Sequence, residues 1–351
     1  MKIIILTGRF GVGHIKAAES IREELLYHNP NHDVIIIDFI EYMFPNLKTM
    51  IYGIFNFLVS KCSGLYNVLN EFAGKNTTVP LKWTVVKKLD KLIREEKPER
   101  IIVTFPVCTQ YISRYKATTG CNIPMYTFIT DITAHGEWIA KGTDCYYVGD
   151  ISTKNTLLSK GVSEDKIKIS GIPVSKKFYD NRIKPIGEQK KVLVMGGGLG
   201  LIQSMERILD GLSGRKDVHV TVITGKNKKL KQKFEKKYPQ MQIVGFTNIV
   251  ETYMKQSDLL VTKAGGITTF EAIAANTPLY ILKPFLEQEF GNARYIEEHN
   301  IGRVFWGNHS LVDEWKDFLN LLEHPTLLVE MQNNMLKLKK ELKKEGETLC
   351  N

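Results

Sequence analysis

The chain is poor in what a secreted or membrane-spanning protein is built from. It has five cysteines among 351 residues, Cys62, Cys108, Cys121, Cys145 and Cys350. The number is odd and no pair stands in a C-x-x-C or zinc-type spacing. That argues against a disulfide framework and points to reduced thiols in a cytosolic protein. No stretch of about 18 uncharged apolar residues occurs, so no membrane span is expected. The N-terminus runs straight into a strand pattern, without the basic, apolar and small-residue regions of a secretory leader. Short-period repeats, low-complexity tracts and a basic tail are also missing. The formal charge of +10 is instead spread over both halves. A diffuse positive field suits anionic partners, whether sugar nucleotides, nucleic acid or the acidic face of a bilayer.

What is present is a repeated alternation of apolar strands and helical patterns, in a chain long enough for two domains. The first half carries "KIIILTG", "DVIIIDF", "RIIVTF", "PMYTFIT" and "CYYVGD"; the second carries "KVLVMGGG", "VHVTVITG", "QIVGF", "DLLVTKAGG" and "PLYILKP". Near-continuous apolar strands joined by helices predict parallel sheets buried on both faces, hence an α/β chain of two doubly wound, Rossmann-like domains. The polar stretch 180–190, with Pro185 and Gly187, is the expected boundary. It gives an N-terminal domain 1–180, a C-terminal domain 181–330 and a final charged helix 331–351. Open α/β sheets bind ligands at the C-terminal ends of their strands, so a cleft between two such domains is the expected site.

Three glycine turns follow strands. "LTGRFGVGHIKAAESI", residues 6–21, passes through Gly8, Gly11 and Gly13 to His14 at the start of a helix. "VMGGGLGLIQSM", residues 194–205, includes Gly197 and Gly198. Its spacing resembles a dinucleotide fingerprint, yet the next strand ends in Gly and Lys where a dehydrogenase needs an acid, so an oxidoreductase fits poorly. The third, "TKAGGITTFEA", places Gly265, Gly266, Ile267, Thr268 and Thr269 at a helix start behind Lys263. Backbone N–H groups there suit a diphosphate. Glu271, three residues after Thr268, suits the two hydroxyls of a ribose; a Thr268–Glu271 capping box is the structural alternative. Glu287, Gln288 and Glu289 are expected on a loop after the next strand, where sugar hydroxyls need hydrogen bonds.

Taken in order, "GVGHIKAA", "TDITAHGEW", "VGDISTKNTLLSKGV", "ISGIPVSKKF", "GGGLG", "GFTNIVETYM", "TKAGGITTFEA" and "EQEFGNA" resemble the diacylglycerol glycosyltransferases. These are bacterial processive diacylglycerol glucosyltransferase and plant monogalactosyldiacylglycerol synthase, more distantly related to the lipid-linked peptidoglycan N-acetylglucosaminyltransferase. The resemblance covers roughly residues 1–305. It implies the two-domain GT-B architecture and an inverting hexosyl transfer from a UDP-sugar. By the same resemblance Phe246 lies where uracil is cradled, Gly265 to Thr268 at the diphosphate, Glu271 at the ribose, and Gln288 and Glu289 at the hexose. It implies an acceptor-side role for the segment holding Asp131, His135 and Trp138, with Gly13 on the same side. No cofactor and no bound metal are expected.

Attack by an acceptor hydroxyl needs a base, and histidine titrates in the useful range. His14 is the candidate. Asp131 either serves as base itself or orients His14 by a hydrogen bond; the alternative for His14 is a capping or packing role. Residues 43–72 are dense in Phe, Tyr, Leu, Ile and Met. The following helix pattern carries Lys82, Trp83, Lys87, Lys88, Lys91 and Arg94. Such a pair suits a lipid acceptor and an anionic membrane surface, with the protein peripheral on the inner face of the cell membrane and no nucleic-acid partner. The lysine run 226–237 reads as a solvated helix face. Two other functions compete: a sugar-nucleotide 2-epimerase of the same architecture, and a non-catalytic nucleotide-binding module.

Overall fold

The computed structural model describes residues 1–61, 82–132, 136–196, 205–307 and 311–346. It divides into two compact units, one over Met1–Lys176 together with the chain from Leu342 onward, and the other over Lys177–Glu341.

The first unit runs β1 (Lys2–Thr7), α1 (Gly13–His28), β2 (Asp33–Asp38), α2 (Phe39–Met43), α3 (Lys48–Lys61), α4 (Lys82–Glu96), β3 (Arg100–Val103), α5 (Pro106–Thr119), β4 (Met125–Phe128), β5 (Cys145–Val148), α6 (Ile151–Ser159) and β6 (Ile167–Ile169). Its six-stranded sheet has the order β2-β1-β3-β4-β5-β6, and every pairing is parallel. The strand period of two sorts β1 between two cores. Ile4 and Leu6 pack with Val85, Leu89, Val103 and Ile112, while Ile3 and Ile5 pack with Ala18, Ile21 and Leu25 of α1. Each such buried aliphatic side chain contributes about 1.5–3 kcal/mol. Short polar residues set the helix starts. Asp38 accepts the N–H groups of Ile40 and Glu41 at the head of α2, and Asp150 accepts that of Thr153 in α6.

The second unit runs β7 (Lys190–Met195), α7 (Met205–Leu212), β8 (Val218–Ile223), α8 (Lys228–Lys237), β9 (Gln242–Val244), α9 (Val250–Gln256), β10 (Leu259–Thr262), α10 (Gly266–Ala275), β11 (Leu279–Ile281), α11 (Glu287–Glu298), β12 (Gly302–Val304), α12 (Leu311–Glu323) and α13 (Pro325–Gly346). Its sheet is also six-stranded and parallel, in the order β12-β11-β10-β7-β8-β9. The final helix starts at Pro325, ahead of residue 331, and its residues from Leu342 onward group with the first unit.

The stretch 180–190 is bound rather than free. Asp180 donates its N–H to Ala274 O at 2.8 Å, and Asn276 Nδ2 donates to Arg182 O at 2.9 Å. Lys184 reaches Ser257 O and Thr277 Oγ1, both at 2.9 Å, and burial lowers its ammonium pKa to about 8. These bonds fasten the stretch to the C-terminal end of α10. The units accordingly part at Lys176–Lys177, a few residues before the expected boundary.

Candidate active site

In the first unit, β1 delivers the chain into the glycine turn and α1 takes it out. Gly8 has no room for a side chain, since a Cβ there would lie 2.9 Å from the Phe105 ring. Gly11 has φ +76°, the left-handed region that favours glycine. Val12 is the N-cap of α1, so Gly13 and His14 are its first two residues and His14 caps nothing. Its imidazole points to the end of β4, where Nδ1 lies 2.8 Å from Thr130 Oγ1. The ring sits 5.2 Å from Phe105 and 6.1 Å from Trp138. Burial holds the imidazole below its ordinary pKa, and the charge of Asp131 opposes that shift. Asp131 thus acts on His14 through charge, and the hydrogen bond at Nδ1 is shared with Thr130.

Trp138 is 1% exposed and packs with Ile129, Tyr146, Val148 and Leu157. It stands behind His14 as core and offers no open face to an acceptor. His135 lies outside the described residues. Among the described residues, no group of three or more His, Cys, Asp or Glu is arranged to hold a metal ion.

In the second unit the candidate residues gather at the C-terminal ends of β9, β10 and β11. Gly265 is the N-cap of α10, and the first bond inside the helix runs from Thr269 N–H to Gly265 O at 2.9 Å. The N–H groups of Gly266, Ile267 and Thr268 come before that bond and have no acceptor within the helix. Together with the helix dipole they form a seat for an anion. Because Gly265 is the cap, Thr268 and Glu271 make no capping box. They share one face of the helix, one turn apart, and both are half-buried. The Thr269 hydroxyl is used inside the helix, donating to Gly265 O at 2.9 Å.

Gln288 and Glu289 lie in the first turn of α11, not on a loop. Glu289 is 5% exposed. Its Oε1 accepts from Lys263 Nζ at 2.9 Å, and its Oε2 accepts from the N–H groups of Phe285 and Leu286 at 3.1 and 3.4 Å. One carboxylate therefore ties the β10 turn to the loop after β11. One turn on, Asn292 ties α11 itself to the β10 turn, donating to Ala264 O at 2.9 Å. Phe246, just after β9, is 60% exposed, with Lys226 Nζ 5.4 Å from its ring centre. Lys226 precedes α8 and so stands apart from the solvated lysine face, at the aromatic ring. Gly197 and Gly198 fall outside the described residues.

Thr130, Asn292 and Lys226 are the additions the structure makes to the site. A signal existed for the helix that carries Asn292: acidic residues at the start of "EQEFGNA" are the composition of a helix first turn.

Comparison with known proteins gives the family. Residues 14–174 match the family model of monogalactosyldiacylglycerol (MGDG) synthase, and residues 191–345 match the glycosyltransferase family 28 C-terminal domain. Processive diacylglycerol beta-glucosyltransferase of Staphylococcus carnosus is 31% identical over 322 residues, which is 86% of this chain and 81% of that protein. The chain belongs to the diacylglycerol glycosyltransferase family. A protein of the same description from Bacillus pumilus is 28% identical and spans 99% of this chain and 93% of its own.

Among solved structures, the fold of this glycosyltransferase is shared by MurG of Acinetobacter baumannii, with a TM-score of 0.60 at 12% identity, covering 99% of each chain. UDP-GlcNAc 2-epimerase of Neisseria meningitidis gives 0.60 at 15%, covering 98% of this chain and all of that one. Likeness at such identity speaks to the GT-B fold alone, which transferases and epimerases have in common. The sequence match is what separates them and places this chain with the transferases.

Proposed function

We propose that this glycosyltransferase moves a hexose from a UDP-sugar to the hydroxyl of diacylglycerol at a membrane surface, with inversion at the anomeric carbon. The observation that carries the reading is His14. It is a half-buried imidazole at the head of α1, held by Thr130 through Nδ1 and kept neutral near pH 7 by its surroundings. In the tautomer whose Nδ1–H donates to Thr130 Oγ1, Nε2 is the nitrogen that takes a proton. A neutral imidazole is what an alcohol needs as general base, whereas a protonated one is useless to it. Asp131 stabilises the imidazolium that forms as the hydroxyl attacks.

The second unit supplies the donor grip. The α10 N-terminus and Lys263 receive the diphosphate, whose negative charge grows as the sugar leaves. Phe246 stacks on the base, Glu271 binds the ribose hydroxyls, and Gln288 faces the hexose. Glu289 fixes the shape of this seat through Lys263 and the 285–286 backbone. The relatives are named beta-glucosyltransferases; a β product from an α-linked nucleotide sugar is an inversion. The reading calls for no cofactor.

For the acceptor, Leu47, Met50 and Ile54 present one apolar face at α3, and Trp83 lies exposed on α4 beside Lys87 and Lys91. Among the described residues no helix is long and apolar enough to cross a membrane. An apolar face on one helix and an exposed tryptophan beside lysines on another fit peripheral attachment to an anionic bilayer on its cytoplasmic side.

Incubation with a panel of UDP-sugars, with and without vesicles containing diacylglycerol, tests this by mass spectrometry of the lipid fraction. A hexosyl-diacylglycerol formed only with vesicles is expected. Conversion of the sugar nucleotide without lipid, or binding without turnover, would refute the reading.

A further inference from the structure

A cluster beside the first glycine turn has no part in the chemistry above. It is built on Asp38, the last residue of β2, whose side chain is 7% exposed. Asp38 Oδ1 accepts the N–H groups of Ile40 and Glu41, each at 3.1 Å, and the Tyr52 hydroxyl at 2.6 Å. Its Oδ2 lies 3.1 Å from Arg9 Nε. The Tyr52 oxygen in turn accepts the backbone N–H of Arg9 at 3.1 Å. Capping α2 accounts for the two N–H bonds only. The remaining contacts bring residue 9 of the glycine turn and Tyr52 of α3 to the same carboxylate.

An aromatic line runs from this cluster to the base. The Tyr52 ring meets Phe10 edge-on at 5.0 Å, and Phe10 stacks on Phe105 at 4.8 Å with 13° between planes. Phe105 lies 5.2 Å from the His14 imidazole and is the ring that leaves no room at Gly8. From α3 to His14, each side chain touches the next. On its other side α3 carries the exposed Met50 and Ile54. Burial and the Asp38 bond hold the Tyr52 phenol far above its ordinary pKa, so it is a donor at every working pH.

We propose that Tyr52 is a positioning residue: through Asp38, Arg9 and Phe10 it holds the turn at residues 8–12, and with it His14, in the geometry for proton removal, and it ties that turn to the helix that meets the lipid. The last clause rests on the lipid-acceptor reading above; the first rests only on His14 as the base.

The test is Tyr52→Phe, which keeps the ring and deletes the hydroxyl, alongside Phe10→Leu, which interrupts the aromatic line. Transfer to diacylglycerol vesicles should fall in kcat by about tenfold for Tyr52→Phe, the rate equivalent of one hydrogen bond, with donor KM and vesicle co-sedimentation unchanged. Combining the two variants should cost little more than the worse one, because both act through one contact line. A second readout needs no acceptor. The His14 ring signal, assigned by its loss in His14→Gln and titrated by NMR, should move upward toward the ordinary histidine value in Tyr52→Phe as the turn loosens and water enters. Unchanged kcat, multiplicative loss in the double variant, or an unmoved His14 titration would overturn the proposal. If the unaltered protein transfers nothing to vesicle lipid, the acceptor reading fails by itself, and the His14 titration alone decides the role of Tyr52.

Discussion

Replacing Glu289 by glutamine separates two roles for one carboxylate. In the structure both oxygens are already committed, Oε1 to Lys263 at 2.9 Å and Oε2 to the backbone of Phe285 and Leu286. Glutamine is the same size but has one acceptor oxygen. Whichever way the amide turns, its NH₂ faces either the Lys263 ammonium or a backbone N–H. A hydrogen bond to a charged group contributes about 1.5–3 kcal/mol. Lys263 is 41% exposed and can turn into water, so the lower figure applies. For a domain of roughly 150–250 residues, a loss of about 1.5 kcal/mol lowers Tm by about 3–6 °C. Scanning fluorimetry with and without UDP reads this directly. The expected result is a lower Tm and weaker binding of UDP itself, because Lys263 and the 285–286 backbone lose their common anchor. An unchanged Tm and unchanged UDP affinity, with loss confined to the intact UDP-sugar, would make Glu289 a reader of hexose hydroxyls and refute the reasoning.

Other perturbations have equally defined outcomes. His14→Ala should lower kcat by about 10²- to 10⁴-fold with donor KM unchanged; a parallel loss of donor affinity would move His14 to the phosphate site. The acid limb of the pH–rate profile should lie below the ordinary histidine value of about 6.5, since burial favours the neutral ring. Asp131→Asn should push that limb lower still, because the Asp131 charge favours the imidazolium; a rise would contradict the assignment. Gly8→Ala drives a methyl to within 2.9 Å of Phe105 and should destabilise the first unit by about 1–3 kcal/mol, seen in denaturant unfolding, with kcat falling as Phe105 shifts against His14. Glu271→Ala should raise donor KM with little change in kcat; a normal KM would remove it from the ribose.

How much of this could be read from the sequence follows from how each feature is encoded. Ten strands announce themselves as apolar runs, because a parallel strand buried on both faces has no room for polar residues. The two that do not, β6 and β12, are three residues long, lie at sheet edges and carry Lys168 and Arg303 at their centres. His14 and the α10 turn were legible because glycine between a strand and a helix is a local pattern. Their partners were not. Thr130 reaches His14 across 116 positions, Asn292 reaches Ala264 across 28, and Tyr52 reaches Asp38 across 14. No spacing rule joins such residues, since only the fold brings them together. Glu289 looked like a sugar contact because an acidic residue after a strand end fits that role equally well. Its burial and its bonds to Lys263 and the 285–286 backbone, which no local pattern records, give it a supporting role as well.

The most direct measurement is the anomeric configuration of the glycolipid made from UDP-α-glucose and diacylglycerol vesicles, read from the proton coupling of its anomeric signal. The account predicts a β-linked product that disappears in His14→Ala. An α-linked product, or a β-linked one formed undiminished without the His14 imidazole, would contradict it.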